Sequence, residues 1–277
     1  MHRISLQKLT VYLFILFFLT TFSSIIVADD SFPGRAIYPK VKTIEIDDLY
    51  AKMQNDQVII VDARSEFEYQ TLNILNAINI PYAKKSFPEK VKQLRSTTDK
   101  AIVFYCNGRT CYKSYKAAMK AIKYNVENCY SFDAGVFEWA KKYPNFSALL
   151  GETPVKDSSI ISKEEFNDHL LPVEEFERQI LSDNAKVYDV RDRAQRRGGS
   201  GLFMFRDKSV SLDNSKKLKR IITRAIRNDN ILYFYDQKGK QVRWLQYLLK
   251  SEGLLNYYFM KGGAGAYTKI IRERQGL

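Results

Sequence analysis

Histidine is almost missing from this chain: two residues among 277, and only His169 lies beyond the first few positions. Such scarcity rules out most Cys–His nucleophile pairs and the common zinc sites. His169 itself is expected on the surface or in a connection. Cysteine is sparse too, with three residues, Cys106, Cys111 and Cys129. An odd number cannot close into intrachain disulfides, so outside the cytoplasm at least one is a free thiol or pairs between chains. Acidic residues are in deficit, 31 against 44 Lys and Arg, for a formal charge of +13. That surface favours anionic partners. No motif of interleaved basic and aromatic residues is present, so nucleic acid is not expected among them; small anions or anionic lipid headgroups fit better. No cofactor or metal motif is found, and neither is expected. Disorder is excluded by 45% apolar and 13% aromatic residues.

What is present begins with a basic stretch, Met1 to Lys8, an uncharged apolar run from Leu9 to Ala28, and then Asp29-Asp30. Residues 1–28 fit two readings. Ile26-Val27-Ala28 offers a signal-peptide cleavage site, whereas the apolar Phe14 to Phe22 suits a membrane anchor with its basic flank in the cytoplasm. Either way the remainder is expected outside, in the periplasm or facing the cell exterior.

The remainder has room for two domains, since single domains run ~100–200 residues, and it reads as two copies of one unit, 41–145 and 160–277. Val58-Ile59-Ile60-Val61-Asp62-Ala63-Arg64 is answered by Lys186-Val187-Tyr188-Asp189-Val190-Arg191. Ala101 to Tyr105 is answered by Asn230 to Tyr235, and Ser131 to Phe137 by Tyr258 to Ala264. The offset stays at about 128 residues, the mark of an internal duplication. Each copy alternates short apolar strands with amphipathic helices. The expected fold class is therefore α/β, with two units in tandem, each a mainly parallel sheet flanked by helices. Residues 145–159, interrupted by Gly151 and Pro154, read as the linker.

Duplication supplies a control, because features shared by both copies serve the fold. Asp62 and Arg64 recur as Asp189 and Arg191, which points to structural ion pairs, with contact between Arg64 and a substrate as the alternative. Gly135 recurs as Gly263 and marks a turn needing positive φ or close backbone approach. Chemistry, by contrast, sits in one copy only. Cys106-Asn107-Gly108-Arg109-Thr110-Cys111 follows the apolar strand ending at Tyr105 and leads into a helix from about Lys113, with Ala117, Ala118, Ala121 and Ile122 on one face. A loop between a strand end and a helix N-terminus turns N–H groups inward, and Arg109 and Lys113 add positive charge; both lower a thiol pKa. Cys106 is the expected nucleophile. Cys111 is either a resolving thiol or a bystander, and Cys129 reads as a small core residue in a short strand.

The segments Val61-Asp62-Ala63-Arg64, Ala77 to Tyr82, Phe104-Tyr105-Cys106-Asn107-Gly108 and Ala134 to Trp139 resemble the landmarks of the rhodanese family. The resemblance implies a sulfurtransferase without a cofactor. Cys106 would take a sulfane sulfur from a small anionic donor such as thiosulfate, hold it as a persulfide, and pass it to a thiophilic acceptor such as a thiol. The loop from Asn107 through Gly108, Arg109 and Thr110 to Cys111, together with Lys113, would bind the donor. Two departures stand out: Asn73 to Ala77 replaces the family's usual His-Ile-x-Gly-Ala, and the loop reaches its small hydroxyl residue only at Ser114.

In the second copy the nucleophile position is Asp236, which cannot carry a persulfide, so that copy is expected to be inactive and to shape the cleft or dock a protein partner. Gly198 to Gly201 reads there as a mobile loop. The helix from Ser215 to Arg227 gathers Leu218, Ile221, Ile222, Ala225 and Ile226 on one side and basic residues elsewhere, a solvated face or one lying on anionic lipid. Two other functions remain open: a non-catalytic binding or thiol redox-sensing protein, and a cysteine-dependent phosphatase or arsenate reductase. The position where those phosphatases carry an arginine is Tyr112.

Overall fold

A computed structural model describes residues 32–193, 195–196, 201–204 and 206–276. The leader and residues 198–200 of the glycine-rich stretch lie outside the described residues. Among those described, no helix is long and apolar enough to cross a membrane.

Twelve strands are described: β1 Lys42–Thr43, β2 Val58–Asp62, β3 Leu72–Ile74, β4 Ile78–Asn79, β5 Ala101–Tyr105, β6 Cys129–Phe132, β7 Ser147–Leu149, β8 Leu170–Leu171, β9 Ala185–Asp189, β10 Asp207–Ser209, β11 Ile231–Tyr235 and β12 Tyr257–Met260. One five-stranded sheet has the order β1-β6-β5-β2-β4, and a second has β8-β12-β11-β9-β10. Every pairing in both is parallel. The second sheet thus repeats the order and direction of the first. Even the register corresponds: Asp62 lies beside Tyr105 and Asp189 beside Tyr235. The central strands are buried on both faces, which is why they read as continuous apolar runs.

Two apolar clusters belong to one unit each. The first joins Val61, Phe104, Ala117, Ala118 and Ala121, and the second joins Phe176, Tyr233, Tyr235 and Met260. A third cluster runs through both units, from Tyr105, Phe132 and Trp139 to Trp244, Tyr247 and Phe259. Phe137 and Trp244 stack across it with ring centroids 5.1 Å apart. Each sheet therefore turns one face to a private core and the other to a shared one.

Parts of the sequence reading need correction. The segment taken as linker is partly built into the first unit, because β7 pairs antiparallel with β3 and Ser147, Ala148 and Leu149 are buried. Ile122 and Ile226 are 44% and 49% exposed; each sits at the edge of its helix's apolar stripe, beyond the residues that meet the sheet. His169 is half-buried, stacked on Tyr257 at 4.0 Å with its Nδ1 2.9 Å from the Tyr257 carbonyl, and so braces the edge strand β8. Cys129 is buried in β6, where burial pushes its thiol up to about 11.

Candidate active site

Cys106 immediately follows β5, next to the centre of the first sheet, and is 0% exposed. Its carbonyl accepts from the N–H of Val136 at 3.0 Å, which ties the loop to the helix Gly135–Lys142. That approach needs glycine at 135: φ is +73°, and a Cβ would come within 2.4 Å of the Gly108 nitrogen. Gly263 does the same for the second unit, with φ +62° and a Cβ position 2.4 Å from the Asp236 carbonyl oxygen.

The Cys106 thiol donates to the carbonyl oxygen of Cys111 at 2.8 Å and lies 3.5 Å from the hydroxyl of Ser114, which in turn bonds the Ser131 hydroxyl at 2.9 Å. All three cysteines are free thiols. Burial pushes the Cys106 thiol well above its ordinary range, and its bonding to Cys111 adds to the rise. Cys111, half-buried, moves the other way, to about 6: it receives a hydrogen bond from Cys106 and further ones from the N–H groups of Lys113 and Asn107, against the cost of burial. The inward N–H groups therefore favour an anion at Cys111 rather than at Cys106, contrary to the reading from sequence. The reason is depth, since Cys106 lies beneath the loop and pays the larger desolvation cost.

The cations near the loop are already engaged. Lys113 Nζ lies 3.0 Å from Glu68, and Arg109 Nε lies 2.6 Å from Glu138 while its guanidinium covers Phe32 at 4.4 Å. Burial opposes the charged form of Lys113, but Glu68 outweighs it and the ammonium is held above its usual value. Asn107 is half-buried, with Nδ2 3.4 Å from Glu68 and Oδ1 accepting from Arg64 at 3.4 Å, whereas Thr110 is exposed. Loop and cations thus converge on Cys111 and Lys113, and Arg109 sits at the rim.

Glu68 escaped the reading from sequence, although its signal was there: Ser65-Glu66-Phe67-Glu68 is a capping box, formed here at the helix Glu66–Thr71. Arg64 is fully buried and committed to Asp62, the Leu72 carbonyl and Asn107, so it faces no substrate. Trp244 was also missed; it comes from the second unit and lies 4.9 Å from the Arg64 guanidinium.

Residues 45–142 match the family model of the rhodanese-like domain. The first unit is a rhodanese-like domain. Among similar proteins, a tRNA uridine(34) hydroxylase of Erwinia tasmaniensis is 29% identical over 118 residues, 42% of this chain and 32% of that protein. One from Cytophaga hutchinsonii is 29% identical over 99 residues, 35% of this chain and 31% of the other. The chain spans about a third of the length of these curated relatives. Solved structures that resemble it include a thiosulfate sulfurtransferase of Pseudomonas aeruginosa, 15% identical, covering 84% of this chain and 46% of that one with a TM-score of 0.35. A human single-domain sulfurtransferase is 19% identical, covering 37% and 97%, with a TM-score of 0.31.

Beside this rhodanese-like domain, the corresponding loop of the second unit is filled from within. The Asp236 carboxylate accepts from the N–H groups of Lys238 at 2.8 Å and Val242 at 3.2 Å, and from those of Gly239 and Gln241. Four N–H groups that could hold an anion hold the protein's own. The Asp–Arg pairs of the two units match closely: the arginine N–H reaches the aspartate Oδ1 at 2.8 and 2.9 Å, and each guanidinium lies 5.4 Å over a tyrosine, Tyr105 or Tyr235.

Proposed function

We propose that the chain is a sulfurtransferase in which Cys106 accepts a sulfane sulfur from a small anionic donor of the thiosulfate type and hands it to a thiophilic acceptor. The observation that carries this reading is the Cys106–Cys111 pair, a buried thiol that donates to the Cys111 carbonyl at 2.8 Å on the same loop as a second thiol that readily takes negative charge. Cys111 as thiolate accepts the Cys106 proton while Cys106 Sγ attacks the outer sulfur of the donor. The donor's S–S bond breaks, and sulfite leaves with the electron pair. Lys113 and Arg109 draw the dianion to the loop, and Ser114 bonds the attacking thiol. The second unit, its loop closed by Asp236, serves as support or as a docking surface. The basic, apolar leader favours an exported protein, periplasmic or anchored. The relatives' name, tRNA uridine(34) hydroxylase, describes proteins about three times the matched length and is not carried over.

Thiosulfate added to the reduced chain is expected to raise the mass of the Cys106 peptide by one sulfur atom and to support thiosulfate-to-cyanide transfer. Cys106→Ser should abolish both. Full transfer activity in that variant overturns the assignment.

A further inference from the structure

We infer that Cys111 is a second reacting thiol: it attacks the Cys106 sulfur of the persulfide, releases the sulfane sulfur as hydrosulfide and closes a Cys106–Cys111 disulfide. The inference rests on the persulfide proposed above. Three observations lead to it. Cys106 is 0% exposed and points its thiol into its own loop, at the Cys111 carbonyl 2.8 Å away, so its sulfur faces the loop that carries Cys111. Cys111 is half-buried on that same loop, hydrogen-bonded to Cys106 and supported as an anion by the N–H groups of Asn107 and Lys113. The Cys111 N–H closes a tight turn on the Gly108 carbonyl at 2.8 Å, which folds the loop back so that the backbone of Cys111 meets the Cys106 thiol.

The step balances without an external oxidant. The Cys111 thiolate forms a bond to Cys106 Sγ, and the bond from Cys106 Sγ to the outer sulfur breaks. Its electron pair leaves with the outer sulfur, which keeps the proton of the persulfide and departs as hydrosulfide. The sulfane sulfur is reduced, and the two cysteine sulfurs are oxidised to the disulfide. A dithiol reductant then reopens the loop. Where no thiophilic acceptor takes the sulfur, turnover by this route needs only a reductant.

The test uses the full chain, reduced, loaded with thiosulfate, freed of excess donor and kept without added thiol. Wild type should release one hydrosulfide per loaded chain and finish two hydrogens lighter than the reduced protein, with Cys106 and Cys111 joined in the peptide map. Cys111→Ser and Cys111→Ala lose the base that Cys111 supplies and should load more slowly; brought to the same mass gain by longer exposure to thiosulfate, they should keep the added sulfur and release sulfide at least about tenfold more slowly. If wild type keeps its sulfane sulfur as long as the variants do, or the variants release sulfide as fast as wild type, the inference is wrong. If folded wild type treated with thiosulfate neither gains sulfur nor forms the disulfide, the fault lies instead in the proposed function. The joined peptide in wild type is read without any variant, so misfolding of a variant leaves the test intact.

Discussion

The Cys106 thiol donates to the Cys111 carbonyl at 2.8 Å, and the two sulfurs that this contact brings together differ in their readiness to ionise. Burial holds the proton on Cys106. N–H groups and Lys113 draw charge onto Cys111. The order in which thiols react with a reagent therefore differs from the order expected from the loop's sequence.

Iodoacetamide at pH 7 should modify Cys111 first, with a rate that climbs through pH about 6 and then levels, following its thiolate. Cys106, raised by burial, and Cys129, raised to about 11, should stay unmodified while the protein is folded. Peptide mass mapping over a pH series measures this. Preferential modification of Cys106 at neutral pH would reverse the assignment.

Glu68→Gln should destabilise the fold by about 1–3 kcal/mol at pH 7, because a buried acceptor shared by Lys113, Asn107 and the Ser65 cap loses its charge. Burial raises the Glu68 carboxyl, but Lys113 and Arg64 outweigh burial and hold it below the ordinary value of 4.5. A lowered carboxyl contributes stability above its unfolded pKa and loses it as pH falls through the folded one. The gap between wild type and variant in urea melts should thus shrink below pH 4.5. A gap that is constant with pH would show that the charge is not the cause.

Gly135→Ala and Gly263→Ala form a matched pair. Each places a Cβ at 2.4 Å from backbone in a left-handed conformation, at a cost above about 1 kcal/mol. Only the first displaces the Cys106 loop. Sulfur loading should fail in folded Gly135→Ala and persist in folded Gly263→Ala, as read by protein mass. Equal loading in both would separate the glycine from the site.

Trp244→Ala should cost about 3–5 kcal/mol, the usual price of an emptied aromatic site. It removes the ring stacked on Phe137 and lying 4.9 Å from Arg64. Because that ring sits in the cluster common to both units, thermal unfolding should move as one transition to lower temperature. A shift confined to a separate second transition would show that the units fold apart.

Local features were the legible ones. The apolar strand ending at Tyr105, the cysteine after it and the helix from Lys113 follow from hydrophobic pattern and turn chemistry, which act over a few residues. Gly135 and Gly263 were readable because the chain states the requirement twice. Partners distant in sequence were not: Glu68 meets Lys113 and Glu138 meets Arg109 only once the helices pack. The same gap explains the thiols. Counting Arg109 and Lys113 as free positive charge predicted an ionised Cys106, yet both cations carry carboxylate partners and the sulfur lies at 0% exposure. Charge along a sequence says nothing of depth. The strand β7 escaped notice for a related reason, since its three residues acquire their partner from β3, far back along the chain.

The Asp236 carboxylate, held by four N–H groups of its own loop, gives the molecule an internal blank. If the cysteine loop takes a small anion as proposed, the stoppered loop should stay silent in the same titration, and chemical shifts at loop level are expected to move in the cysteine loop alone. Two units of matching strand order would then serve, for an anionic probe, as a sample and its reference carried on a single polypeptide.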